Sequence, residues 1–102
     1  MVILQGAGRV DSALRERFLA ERADSMRISR AERGNLEYVI AADPIEADRV
    51  VLSERWETQE DLTAHLQASA ERRRHAEPDK GSQVSVDFDI AVYEVGSAKP
   101  LA

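Results

Sequence analysis

The 102-residue chain contains no cysteine, so disulfides, thiolate nucleophiles and cysteine-based metal sites are excluded. It has two histidines, His65 and His75. They are not at the i, i+4 spacing that sets two ligands on one helical face, and no metal site is expected. No apolar run approaches the roughly 18 residues that span a bilayer, and no charged-then-apolar leader opens the chain. A cytoplasmic location without membrane association is the default expectation. Positive charge is also in deficit, with 14 Lys and Arg against 19 Asp and Glu, a net charge of −5. That balance argues against nucleic acid or an anionic membrane as the main partner. The local exception, Arg72-Arg73-Arg74, falls at the end of a predicted helix, where cations suit the helix dipole. Gly6-Ala7-Gly8 is too short for a phosphate-cradling loop and lacks its third glycine. Neither flavin nor nicotinamide binding is expected, and a serine triad has no support.

What is present reads as an ordinary globular composition, 43% apolar and 32% charged, enough for one domain. A domain of this size buries roughly two-thirds of its unfolded surface. Its core is adequate but thin, and pairing with a second copy would add to it.

Hydrophobic periodicity divides the chain. Val2-Ile3-Leu4 begins a first strand that runs into the two glycines, which weaken the strand or make room for something against it. Asp11 or Ser12 can cap a helix over residues 12 to 33, where Leu14, Phe18, Leu19, Ala23 and Met26 form an apolar stripe. Gly34 stands where a helix-ending glycine belongs. Residues 36 to 42 read as a strand, Asp43-Pro44 as the start of a turn, and Arg49 to Trp56 as a second strand, the two making a hairpin. Val50, Leu52, Glu54 and Trp56 share one face of that second strand. Thr58, with Asp61 three residues on, resembles a capping box opening a second helix, whose Leu62, His65, Leu66 and Ser69 fall on one face. Asp79-Lys80-Gly81-Ser82 reads as a polar turn. Residues 84 to 95 alternate as the clearest strand, leaving one domain over residues 1 to 95 and a tail over 96 to 102.

The order β-α-β-β-α-β is the ferredoxin-like split βαβ, an α+β fold with an antiparallel sheet and both helices on one face. The other face then needs cover, and a homodimer is the expected solution.

Three passages carry a family likeness: Glu32-Arg33-Gly34-Asn35-Leu36-Glu37-Tyr38 from helix into strand, Glu54-Arg55-Trp56 at a strand end, and Ala64-His65 within the second helix. In this order and spacing they resemble the antibiotic biosynthesis monooxygenase family, whose fold is a dimeric α/β barrel. The resemblance implies a small oxygenase that uses dioxygen and no cofactor on a phenolic, quinol or polyketide-like aromatic compound. Haem-degrading members of that family carry a strand-one asparagine, a helix-two tryptophan and a histidine ten residues later. Here strand one offers glycines, His65 stands in the tryptophan's place, and only His75 fits by spacing.

His65 is the first candidate for chemistry. A neutral imidazole titrates near about 6.5 and a phenol near about 10, so proton transfer between them costs roughly 5 kcal/mol if the site does nothing else. The alternative is a half-buried histidine bonded to a local carbonyl. Trp56 and Tyr38 offer flat walls for an aromatic substrate, or plain core packing. Glu54, between Leu52 and Trp56 on an apolar face, must be paired or functional. Leu62, Phe18 and Met26 are expected to complete the wall. A proton-transfer enzyme such as an isomerase, with His65 as base, and a non-catalytic dimeric ligand-binding module remain open beside the oxygenase.

Overall fold

The computed structural model describes residues 1–75 and 83–102. The elements are β1 (Val2–Arg9), a single 3₁₀ turn (Ser12–Leu14), α1 (Arg15–Arg30), β2 (Asn35–Ala42), β3 (Arg49–Trp56), α2 (Gln59–Arg74) and β4 (Phe88–Glu94). One four-stranded sheet has the order β2-β3-β1-β4 with every pair antiparallel. This is the α+β ferredoxin-like fold expected from the element order.

Alternation places the core. Val50, Leu52, Glu54 and Trp56 are all buried on one face of β3, while Val51, Ser53 and Arg55 on the other are only half-buried. Directly opposite them lie Ala42, Ile40 and Tyr38 on β2 and Gly8, Gly6, Leu4 and Val2 on β1. Two apolar clusters form under the helices. Val10, Phe18, Ile40, Val50 and Leu52 make one; Val2, Leu4, Trp56 and Leu62 make the other; Tyr38 packs against both. Gly6 is needed where β4 crosses β1. A Cβ there would stand 2.3 Å from the Asp89 carbonyl oxygen, so any side chain would push the strands apart.

Caps and turns hold the element ends. The Asp11 carboxylate accepts from Ala13 N at 2.9 Å, and Thr58 Oγ1 accepts from Asp61 N at 3.1 Å while donating to Asp61 Oδ2 at 2.9 Å. In the β2–β3 turn, Asp43 accepts from Ile45 N at 2.7 Å and Glu46 N at 3.1 Å and pairs with Arg49 at 2.7 Å. These donors pull its carboxyl down to about 2.

Three expectations change. The first helix ends at Arg30 rather than 33, and Gly34 serves the turn that follows it, at φ 79°. Leu14 and Leu66 are substantially exposed rather than part of the packed stripes. The last strand begins at Phe88, not at residue 84. Phe88 pairs with Gly8, and β1 ends one residue later, so the Val84–Val86 alternation has no neighbour to extend the sheet. Instead Val84 N donates to Glu21 Oε1 of α1 at 2.9 Å, and Val84 and Val86 pack against the first cluster. The turn expected at residues 79–82 lies outside the described residues.

Candidate functional site

The centre of the helix-covered face is Glu54. Its register neighbours are Leu4 on β1 and Tyr38 on β2, and α2 lies above. The cap at Thr58 starts α2 so that Leu62 and His65 point down onto the sheet and are buried. His65 is 5% exposed and sits between two aromatic rings, 4.7 Å from Trp56 and 5.5 Å from Tyr38 by ring centroids.

Two carboxylates bracket the imidazole. Nδ1 is 2.6 Å from Glu32 Oε1, and Nε2 is 3.9 Å from Glu54 Oε1. Glu32 comes from the turn between α1 and β2. That turn is seated against the start of α2: the Gly34 carbonyl accepts from Glu57 N at 2.8 Å, and a Cβ on Gly34 would strike the Asp61 carboxylate at 2.1 Å. Nδ1 is thus the ring nitrogen bonded to Glu32, and Nε2 is the one that faces Glu54. Arg72 Nη1 lies 3.8 Å from the other Glu32 oxygen.

Glu54 is equally confined. Its Oε1 accepts from Trp56 Nε1 at 3.0 Å, and Oε2 takes no hydrogen bond among the described residues. Burial pushes the Glu54 carboxyl above the ordinary carboxylate range; the Trp56 N–H and His65 oppose that rise, and the Glu32 charge adds to it. Burial, with the Glu54 charge next in weight, likewise raises the Tyr38 phenol.

Glu54 and Tyr38 open onto an apolar cleft of about 310 Å³ between α1 and the sheet, walled by Phe18, Ile40, Leu52 and Phe88. His65 is not on that cleft. With Glu32 it lines a separate acidic depression of about 550 Å³ beside the start of α2. The imidazole therefore lies between the two openings, with Glu54 on one side and Glu32 on the other.

The sequence profile of the antibiotic biosynthesis monooxygenase family matches residues 1–77. The chain belongs to that family. Solved structures agree on the fold. A protein from Deinococcus radiodurans, described as a candidate antibiotic biosynthesis monooxygenase, superposes with a TM-score of 0.68 at 22% identity, covering 100% of this chain and 99% of that one. SnoaB, a cofactor-independent oxygenase from Streptomyces nogalater, gives 0.67 at 13% identity over 97% and 96%. The haem-degrader MhuD from Mycobacterium tuberculosis, solved with two haems in its active site, gives 0.69 at 14% identity over 98% and 100%. No curated protein matches the chain in sequence.

For this member of the family, the expected site divides into parts. Phe18, Tyr38 and Glu54 meet at the cleft. Trp56, expected as a wall, is 0% exposed and lines neither opening; it lies beneath the site as the donor to Glu54. Leu62 is core with Val2, Leu4 and Trp56. Met26 also packs into the core, its sulfur accepting from Ile40 N at 3.4 Å. Two residues at these openings, Glu32 and Arg22, fall outside the expected set. Glu32 had a signal, as the acid that heads the family's passage into Tyr38. Arg22, which lines the cleft, had one too: it stands between Phe18 and Met26 at four-residue spacing, a charge inside an apolar stripe.

Among the described residues no helix is long and apolar enough to cross a membrane, and no group of three or more His, Asp or Glu is arranged to hold a metal ion.

Proposed function

We propose that this chain is a cofactor-independent monooxygenase of a small phenolic or quinol compound, with Glu54 as the group that meets the substrate and His65 as the acceptor behind it. The observation that carries this reading is a buried carboxyl group at the wall of an apolar cleft, with one oxygen bonded to Trp56 Nε1 and His65 Nε2 3.9 Å from that same oxygen. An aromatic ring between Phe18 and Leu52 would bring its hydroxyl to Glu54. Ionised Glu54 takes the hydroxyl proton, and His65 Nε2 is placed to draw it away. Raising the carboxyl narrows the gap to a phenol, which is how a positioned base gains efficiency.

The electrons come from the substrate itself. The deprotonated quinol passes one electron to dioxygen, the resulting radicals join as a carbon–oxygen bond, and loss of water leaves a hydroxyquinone. One quinol and one dioxygen give one hydroxyquinone and one water. The protein contributes proton removal, orientation and a water-poor cleft.

Dihydroxynaphthalenes in an oxygen electrode, with ¹⁸O₂ and mass spectrometry of the product, test this. The expected outcome is one labelled oxygen in each product molecule. Hydrogen peroxide with unlabelled quinone would sink the reading. The same site suits an isomerase, and turnover of a substrate without oxygen would establish that reading instead. Haem chemistry fits the residues poorly. His75, the one position that matches haem-degrading members by spacing, is 76% exposed and bonded to Glu71 at 2.9 Å, and strand one carries Gly6 and Gly8.

A homodimer belongs to the same proposal. The sheet face opposite the helices presents half-buried Ile3, Val39 and Val51, and a second copy would cover it. Sedimentation at micromolar concentration is expected to give twice the chain mass; the monomer mass would overturn this.

A further inference from the structure

The cleft changes character at its mouth. Arg22 projects there from α1, its Cζ 5.3 Å from the Phe18 ring centroid. One terminal nitrogen donates to Gln83 Oε1 at 3.2 Å. Its Nε is buried and has no hydrogen-bond partner. Several other arginines of this acidic chain have carboxylates close by, Arg9 at 2.8 Å, Arg49 at 2.7 Å, Arg55 at 3.3 Å and Arg72 at 3.8 Å, while Arg15 and Arg30 bond backbone carbonyls. Half-buried Arg22 has no carboxylate close by among the described residues. A buried charged donor left without an acceptor is a standing cost to the fold.

Arg22 stands where two cavities meet. The apolar cleft and a groove of about 530 Å³ between α1 and α2 share Arg22, Tyr38 and Ile40. The groove also carries Arg72 and Arg73. Its two acids are engaged elsewhere, Glu21 with Arg17 and the Val84 amide, Asp24 with Arg27. A cationic entrance therefore leads to an apolar cleft that has a carboxyl group on its wall.

We infer that Arg22 receives a carboxylate carried by the aromatic substrate, so that the substrate class is a hydroxyaryl acid. This rests on the cleft being the substrate site. The planar guanidinium fork suits a carboxylate, and its terminal nitrogens are the groups that would meet one. Polarity fixes the orientation. An anionic arm is repelled at Glu54 and drawn to Arg22, which turns the opposite, hydroxyl-bearing end of the ring toward Glu54. The same contact selects against neutral quinols of equal size.

Calorimetric titration of the full chain with 6-hydroxy-2-naphthoic acid and with 6-hydroxy-2-naphthamide tests this without depending on turnover. The acid is expected to bind about tenfold more tightly than the amide, as one charge-assisted pair provides. Arg22→Gln should bring the acid-to-amide affinity ratio down to about one, and Arg22→Lys, which keeps the charge without the fork, should restore part of it. Equal affinity of wild-type protein for acid and amide overturns the inference and leaves the cleft intact as a substrate site. Binding of neither ligand takes both readings down. If Arg22→Gln does not fold, the wild-type comparison alone decides.

Discussion

Glu54→Gln is expected to lower oxygen consumption by about 10²–10⁴-fold, the range lost with a positioned acid–base group. The amide keeps the shape of the carboxyl and still accepts the Trp56 N–H, a 3.0 Å contact in the native chain, but it cannot take a proton. Stability should move the other way. Burial raises the Glu54 carboxyl from its ordinary value of 4.5, so the folded chain keeps a proton that the unfolded chain releases. The stability linked to this group is complete below the ordinary value and is lost as pH rises through the raised one. Glutamine never ionises. The variant's Tm should therefore fall less than the native Tm between about pH 5 and pH 8. A variant that loses activity while gaining alkaline-side stability is the pattern expected where a function requires an uncomfortable buried group. Oxygen-electrode rates and thermal melts across that range check both halves. An undiminished rate in Glu54→Gln, with the rate lost in His65→Ala, would remove Glu54 from the chemistry and assign proton removal to His65.

The carboxylates on either side of His65 explain why the histidine was legible in the sequence while its surroundings were not. His65 follows Leu62 by three residues on the packed side of the second helix, and helical periodicity alone places it over the sheet. Which way the ring edges face depends on contacts that no local pattern records. Glu32 is 33 residues away in sequence and reaches Nδ1 only because the Gly34 turn locks against the start of α2. Glu54 announced itself by occupying an apolar face, where a tryptophan donor bonds one of its oxygens and burial still leaves the carboxyl raised. The strand containing it was readable to its ends, because Arg49–Trp56 alternates without exception and both neighbours pair along its length. The final strand was not, since Val84 and Val86 alternate like strand residues. Whether such a run joins a sheet depends on the neighbour's length, and β1 stops at Arg9. Met26 and Leu62 pack with the core for a similar reason. A stripe identifies the buried face of a helix, but the division of that face between cavity wall and solid core is set by the elements opposite.

Trp56 is where the fold and the site depend on one side chain, and its replacement separates the two contributions. Trp56→Ala is expected to cost about 3–5 kcal/mol, as large aromatic truncations in cores do, against a total of about 5–15 kcal/mol for a domain. It empties the centre of the Val2, Leu4 and Leu62 cluster and strips Glu54 of its donor, so the urea midpoint should collapse. Trp56→Phe keeps an apolar ring there and removes only part of the packing, but it also removes the N–H bond to Glu54. That bond holds the Glu54 carboxyl down, and without it the carboxyl rises further. The folded variant then keeps its proton to a higher pH than the native chain does, and the stability lost on raising the pH through that value is larger. The difference in unfolding free energy between native protein and Trp56→Phe should therefore widen as pH increases from about 5 to about 8. The acid limb of the activity profile should shift upward with it, because ionised Glu54 is the base. Urea denaturation at several pH values measures the first effect and oxygen uptake the second. A stability difference that does not change with pH would mean that the indole N–H does not govern Glu54, and that Trp56 serves the core alone.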